Sequence, residues 1–253
     1  MSNILFLFNN IFDLATLVES SQDDDFPTEN LQNPFRTKVW KTASGVGTAN
    51  LVINHGIAKA VSAVAIVNYD WEDAPSTLDL EFNMTDSWGD PSETESLTWL
   101  ANPDVYGNPN IIIKTFASKS YQYNRLNIVH GSQFQIGRIF LGTYFEPTRD
   151  YVHERTEKIV DPSFVDLTVG GQEHVDELTK YREREITFRF SEHQQYQYFQ
   201  QLINSVGFDK NIVVAFDYDD YPGEQTLYGK IKEYDPRMEY NLYEFSMLFR
   251  ESR

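Results

Sequence analysis

Up to about residue 145 the apolar residues fall in short segments without a helical period, between short clusters of Pro, Gly, Asn and Asp. Short segments of this kind are typical of β-strands, and such clusters are typical of turns. The run AKAVSAVAIV at 58–67 predicts a central strand, although a short apolar run also fits a buried helix. The predicted strands cover 4–8, 38–42, 50–54, 58–69, 77–83, 96–100, 110–117, 122–129 and 136–145. This pattern predicts a mainly β fold with a jelly-roll β-sandwich over residues 1–145.

Residues 146–185 are rich in charge and lack a regular apolar period. Pro147, Pro162 and the pair Gly170 and Gly171 interrupt the segment. Because long structureless stretches are uncommon inside compact domains, we interpret this one as a charged arm or linker that a partner orders.

The last segment, 186–253, predicts a small antiparallel β domain with one packed helix. Its first strand is ITFRF at 186–190, and a helix over 192–206 follows. Ser191 and Gln194 have the spacing of a capping box, and Gly207 suits the end of the helix. One face of the helix is apolar, with Tyr196, Phe199, Leu202, Ile203 and Val206. Further strands are predicted at 211–216, 226–233 and 240–249.

Composition narrows the range of functions. The formal net charge of −17 disfavours tight binding to nucleic acid. The chain has no cysteine, and no apolar stretch approaches the ~20 residues that a membrane-spanning helix needs. The five histidines fall in separate segments, without metal-ligand spacing. We therefore expect no membrane insertion, no enzymatic activity and no cofactor. Asp217 and Asp219 are weak candidates for a Ca²⁺ site, and solvated turn charges are the alternative.

The stretch FPTENLQNPFRTKVWKT at 26–42 combines two prolines with a single Trp. One interpretation is a rigid corner that places Trp40 in the core. The other is a sugar or protein contact that uses Arg36 and Trp40, since Arg and Trp are enriched at binding hot spots. Three further tryptophans lie in or beside predicted loops. The candidate glycan or partner contacts are Arg36, Trp71, Trp88 and Trp99.

Several motifs, taken in order, resemble tail structural proteins of long-tailed bacteriophages, of the distal-tail or minor tail type. These are FPTENL, PFRTKVW, AVAIVNYDW, IGRIFLGTYFEP, VGGQ, REITFRFSEHQQYQYFQQLI and LYGKIKEYDP, and they span most of the chain. The first half is similar to a galactose-binding-like jelly roll. The second half is similar to the small β domain from which tail tubes and distal tail rings are built.

The resemblance implies a structural role in a virion tail or tail tip, made in the bacterial cytoplasm. The C-terminal domain would form a ring of identical copies, and the partners would be neighbouring tail tube, hub or fibre proteins. The arm would reach over an adjacent subunit through Arg149, Tyr151, Arg155, Lys158, Gly170, Gly171, Tyr181 and Arg182. The alternative function is a carbohydrate-binding module that attaches to host-surface glycans. A hydrolase has only the abundance of carboxylates in its favour.

Overall fold

The computed structural model describes residues 4–71, 73–99, 110–148, 155–167, 173–190, 192–223, 225–239 and 242–252. The chain divides into two compact units. Unit 1 contains Met1–Pro147 and Ile212–Tyr228, and unit 2 contains Thr148–Asn211 and Gly229–Arg253. The division near residue 147 lies close to the boundary that the sequence predicts. Residues 212–228 are assigned differently: the sequence groups them with the C-terminal domain, whereas the structure groups them with unit 1.

The described residues are mainly β-strand, with one α-helix. The strands of the first 147 residues are β1 (Leu5–Asn10), β2 (Thr16–Glu19), β3 (Trp40–Lys41), β4 (Thr48–Tyr69), β5 (Thr77–Asn83), β6 (Glu93–Ser96), β7 (Ile111–Val129) and β8 (Gln135–Phe145). Short 3₁₀ turns span Ile11–Leu14 and Thr28–Gln32. The later elements are β9 (Arg155–Val160), β10 (Phe164–Leu167), β11 (Glu173–Asp176), β12 (Tyr181–Phe190), α1 (His193–Val206), β13 (Ile212–Ala215), β14 (Thr226–Glu239) and β15 (Leu242–Glu251). No helix in this described set is long and apolar enough to cross a membrane.

Unit 1 is a β-sandwich whose two longest strands each serve both layers. β4 pairs with β7 over 48–54, 59–61 and 63–67, with two register shifts between these stretches, and Gly56 in the first shift has φ 75°. The front sheet contains β2, the first part of β4, the second part of β7, β5 and β6. The back sheet contains the remaining parts of β7 and β4 with β8, β1, β13 and β3. The sequence predicts β4 and β7 as two strands each.

Alternating apolar side chains of the two sheets form the main core. Leu51, Leu80 and Leu126 of the front sheet belong to one buried cluster with Ile66 and Ile139 of the back sheet. Burial of such side chains stabilises the fold by about 1.5–3 kcal/mol each. The predicted central strand at 58–69 is confirmed, since Ala63 to Val67 are all buried.

Residues 212–228 cover the other face of the back sheet. β13 lies against β1, with Leu5 opposite Ala215. Tyr228 belongs to a second buried cluster on this face, and its hydroxyl donates to the carbonyl oxygen of Pro34 at 2.8 Å. These contacts join residues that are far apart in sequence. The local sequence pattern does not reveal them, and it therefore assigns residues 212–228 to the C-terminal domain.

Unit 2 confirms the predicted antiparallel sheet with one packed helix. Its strand order is β14, β15, β12 and β9, with β10 and β11 forming a separate hairpin. Phe199 of α1 lies over the sheet, with ring centroids 4.7 Å from Phe188 and 4.3 Å from Phe245. Gly207 ends the helix at φ 61°, and its N–H donates to Ile203 O at 2.7 Å. Ser191, the predicted cap, lies outside the described residues.

The segment 146–185 is not structureless, which corrects the sequence-based interpretation. It contains β9, β10, β11 and the start of β12, and β9 pairs with β12 of its own chain. The start of β12 was missed because charged residues occupy its buried positions. Arg184 is buried and pairs with Glu157 of β9 at 3.0 Å. An inward arginine removes the apolar alternation by which strands are recognised.

Candidate functional site

Trp40 lies in the core of unit 1. Its side chain is fully buried, its Nε1–H donates to Ser21 O at 3.2 Å, and its ring meets Phe134 edge-to-face at 5.8 Å. Arg36 is also buried. The stretch 26–42 therefore places Trp40 in the core, and the side chains of Arg36 and Trp40 are both buried.

The other three tryptophans occupy different environments. Trp71 is buried, with ring centroids 4.8 Å from Tyr69 and 5.9 Å from Phe134. Trp88 is half-buried, and the guanidinium of Arg125 lies 4.8 Å from its ring centroid. Trp99 is half-buried and packs against the main core. Only the last two, among the four predicted contact residues, present part of a side chain to solvent.

Trp99 lines a groove at the end of the front sheet, which we name the β5 groove. Its volume of about 370 Å³ lies within the range of small-ligand sites. The lining residues come from the turn before β5, from β5 itself, from the end of β6 and from the residues that follow β6. They are Ala74, Pro75, Ser76, Thr77, Leu78, Asp79, Ser96, Leu97 and Trp99.

The strand alternation decides which groups reach the groove. Leu78 and Leu80 point into the core, so Asp79 between them points outward. Ser76 is held by Val129 O, which accepts hydrogen bonds from its backbone N–H at 2.7 Å and from its Oγ at 3.1 Å. Hydroxyl and carboxylate groups therefore line the groove beside the indole of Trp99.

The Nε1–H of Trp99 is buried, yet it has no hydrogen-bond acceptor among the described residues. A buried donor without a partner costs about 1–3 kcal/mol. The indole N–H therefore has unused hydrogen-bonding capacity in a residue that lines the groove.

Charged side chains next to the groove are paired with one another. Arg125 pairs with Glu81, which points outward two residues beyond Asp79 on β5. On β6, hydrogen bonds from Lys119 and Tyr121 hold the pKa of the Glu93 carboxyl below its ordinary value. These pairs lower the local charge and make the surface suitable for neutral ligands.

The predicted assembly residues are only partly described. Lys158 is exposed, Tyr181 lies under the guanidinium of Arg250 at 5.0 Å, and Arg182 is buried against Glu251. Arg149, Tyr151, Gly170, Gly171 and the side chain of Arg155 lie outside the described residues.

Asp217 is half-buried and Asp219 is exposed. In the part of the chain that the structure describes, no three His, Asp or Glu side chains are grouped to hold a metal ion.

No protein-family model matches the sequence, and a search of curated proteins finds no match. Among solved structures, a Streptococcus pneumoniae fucose-binding module is 14% identical, with a TM-score of 0.42, over 53% of this chain and 94% of that chain. A chitosan-binding module from a Paenibacillus sp. IK-5 chitosanase/glucanase is 16% identical, with a TM-score of 0.40, over 53% and 100%. A family 32 carbohydrate-binding module from C. perfringens is 15% identical, with a TM-score of 0.40, over 56% and 99%. At such scores the likeness carries no weight for function.

Sequence reasoning identified Trp99 but missed its neighbours Ser76, Asp79 and Ser96. Single polar residues in turns and on the outer face of strands are common and give no signal of their own. Only the pairing of β5 with β6, which sets Asp79 opposite Ser96, brings them together.

Proposed function

We propose that unit 1 binds a glycan in the β5 groove. The observation that carries this proposal is the buried, unpartnered Nε1–H of Trp99 beside the Asp79 carboxylate and the hydroxyls of Ser76, Thr77 and Ser96. A sugar hydroxyl both donates and accepts hydrogen bonds, so one ligand complements both kinds of group. The apolar face of a sugar ring would pack on the indole.

A neutral glycan fits better than an acidic one. The chain carries a formal net charge of −17, which repels anions at long range. Within the groove, Asp79 adds a carboxylate, and the adjacent Arg125 is already paired with Glu81. An anionic sugar would meet uncompensated negative charge.

A glycan array followed by isothermal titration of the best neutral hit tests this function. Trp99→Ala should weaken binding about 10- to 100-fold, because it removes both the ring contact and the hydrogen bond. Trp99→Phe keeps a ring and should weaken binding about 3- to 10-fold. Phe35→Ala, at an exposed aromatic of the same unit, is the control and should bind as the wild type does. Wild-type protein that binds no neutral glycan, or unchanged binding by Trp99→Ala, would refute the proposal.

The second candidate function is assembly into a bacteriophage tail, as the resemblance of the sequence motifs implies. The supporting observation lies in unit 2, where β9 is an edge strand with no second neighbour among the described strands. Ile159 of β9 and Phe164 of β10 are 57% and 61% exposed. Edge strands and exposed apolar side chains are the usual means by which β domains associate. The partners would be further copies in a ring and neighbouring tail proteins, within a virion made in the bacterial cytoplasm.

Native mass spectrometry of the purified chain, alone and with its tail neighbours, tests assembly. A closed oligomer is expected, and Ile159→Lys should shift it towards monomer because the charge would be buried in the contact. Ile57→Lys is the matched control, since Ile57 is 62% exposed and lies in unit 1. A chain that stays monomeric in every mixture would eliminate this candidate.

A further inference from the structure

We infer that the β5 groove is one end of a longer binding surface that accepts a chain of sugar residues. The inference rests on the proposed glycan-binding function. The surface is a row of four polar side chains across the front sheet, one from each of four neighbouring strands. We name Ser96, Asp79, Asn127 and Asn50 the polar track.

The strand register places these side chains side by side. Asp79 is opposite Ser96 on one side and opposite Asn127 on the other. Asn127 is in turn opposite Asn50. Directly opposed residues of antiparallel strands point to the same face of the sheet. Since strands lie about 4.8 Å apart, three steps give a track about 14 Å long.

The alternation of burial shows that the track faces outward. On β4, Ala49 and Leu51 are buried on either side of Asn50. On β7, Leu126 and Ile128 are buried on either side of Asn127. The polar track therefore lies on the face of the front sheet opposite the core, and it is continuous with the groove through Asp79 and Ser96.

Each end of this surface has a buried polar atom without a hydrogen-bond partner among the described residues. At the groove end this atom is Nε1 of Trp99, a donor, and at the far end it is Oδ1 of Asn50, an acceptor. A monosaccharide bound in the β5 groove is shorter than the track and does not reach Asn50. A chain of sugars reaches both residues and offers a hydrogen-bond partner to each atom.

The backbone beneath Asn50 is fixed, which suits a binding position. Its N–H donates to Ser20 Oγ at 2.9 Å, and its carbonyl oxygen accepts from Ser20 N at 2.9 Å. On the neighbouring rung, Glu81 is covered by its pair with Arg125, and Arg125 lies on the Trp88 ring. The charged residues beside the track, Glu81 and Arg125, therefore neutralise each other, which agrees with a neutral ligand.

Titration calorimetry of the full chain with sugars of increasing length tests the track. The probes are glucose, galactose and N-acetylglucosamine, each as the monosaccharide and as chains of two to four residues. In at least one series, affinity should rise about tenfold or more from the monosaccharide to the longer chains. Asn50→Ala should lower the affinity for the longer chains about 5- to 10-fold and leave the affinity for the monosaccharide unchanged. Asn127→Ala should reduce the gain in the same way.

Two controls separate binding from folding. Val18→Ala changes an exposed residue of the same sheet outside the track and should bind as the wild type does. Circular dichroism and urea unfolding of each variant confirm that it is folded. Two results would refute the polar track as a binding surface while leaving the proposal of glycan binding in the β5 groove standing. The first is equal affinity for short and long sugars in every series. The second is an Asn50→Ala variant that loses affinity for the monosaccharide as much as for the longer chains. If no probe binds, the polar track and glycan binding in the β5 groove are both refuted.

Discussion

Replacement of Trp40 by alanine should destabilise unit 1 severely without acting on the glycan site directly. Trp40 is fully buried, contacts Phe134 edge-to-face and donates a hydrogen bond to Ser21 O. The substitution therefore removes a large apolar surface and one hydrogen bond together, and it leaves a cavity between the stretch 26–42 and the main core.

The expected loss follows from the buried area. An aromatic side chain of this kind buries roughly 150–250 Å², which corresponds to about 4–6 kcal/mol at ~25 cal/mol per Å². Part of that surface remains buried in alanine, and aromatic-to-alanine changes in cores cost about 3–5 kcal/mol. We expect the free energy of unfolding of unit 1 to fall by about 4 kcal/mol. Trp40→Phe keeps a ring against Phe134 and should cost about 1–2 kcal/mol, chiefly the lost hydrogen bond to Ser21.

Urea titration read by hydrogen-exchange mass spectrometry is the suitable assay, because the two units can unfold in separate transitions. Peptides from β4 and β8 report on unit 1, and peptides from β12 and β15 report on unit 2. In a thermal scan, a loss of about 4 kcal/mol corresponds to roughly 8–16 °C. Trp88→Ala is the matched control, since Trp88 is half-buried and its contact with Arg125 contributes about 1 kcal/mol or less.

Two results would refute this reasoning. A loss below about 1 kcal/mol for Trp40→Ala would mean that Trp40 does not fill the core. Equal losses for Trp40→Ala and Trp40→Phe would mean that the ring contact with Phe134 contributes nothing. Either result would reopen the interpretation of stretch 26–42 as a binding surface.

Three further predictions concern backbone and pH. Gly137→Ala places a Cβ 2.3 Å from Arg36 O, so unit 1 should lose about 1–3 kcal/mol in urea unfolding, and an unchanged midpoint would contradict this packing. Gly207→Ala forces a side chain onto φ 61° and ψ −148°, so unit 2 peptides should exchange faster, with a loss of about 1–3 kcal/mol. Burial lowers the pKa of His55 from its ordinary 6.5, so the unfolded chain binds more protons and unit 1 should lose stability as pH falls below 6.5. His55→Gln keeps a donor for Asn124 and should abolish that dependence, whereas an identical pH profile would exclude His55 as its source.

Local pattern was sufficient for most elements of the fold. β5 matches its predicted bounds, and α1 differs from the prediction by one residue at its start. Both elements have regularly spaced apolar residues on one face, and this spacing is the signal from which helices and strands are predicted. β9 lacks that spacing, because half of its sequence RTEKIV is charged, and Glu157 pairs with Arg184 of β12.

Pairing between strands that are distant in sequence could not be predicted from the sequence. Nothing in the apolar run IVVA of β13 indicates that it pairs with β1, more than 200 residues earlier. The same limit applies to the proposed glycan site. Trp99 could be predicted from its residue type and its position beside a turn. Asn50 and Asn127 could not, because their significance comes only from lying opposite each other.

A close backbone contact at a glycine lies near the two asparagines. His130 N–H donates to Gly47 O at 2.8 Å, and a Cβ on Gly47 would lie 2.5 Å from the backbone of Gly131. The backbones just before β4 and just after β7 are therefore in close contact, three residues from Asn50 and from Asn127. A slip of one residue would turn Asn127 into the core and Leu126 or Ile128 outward. Because the buried leucines and isoleucines resist that slip, the packing of the core holds the polar track in place. A side chain at residue 47 should accordingly disturb glycan-chain binding even though it touches no sugar.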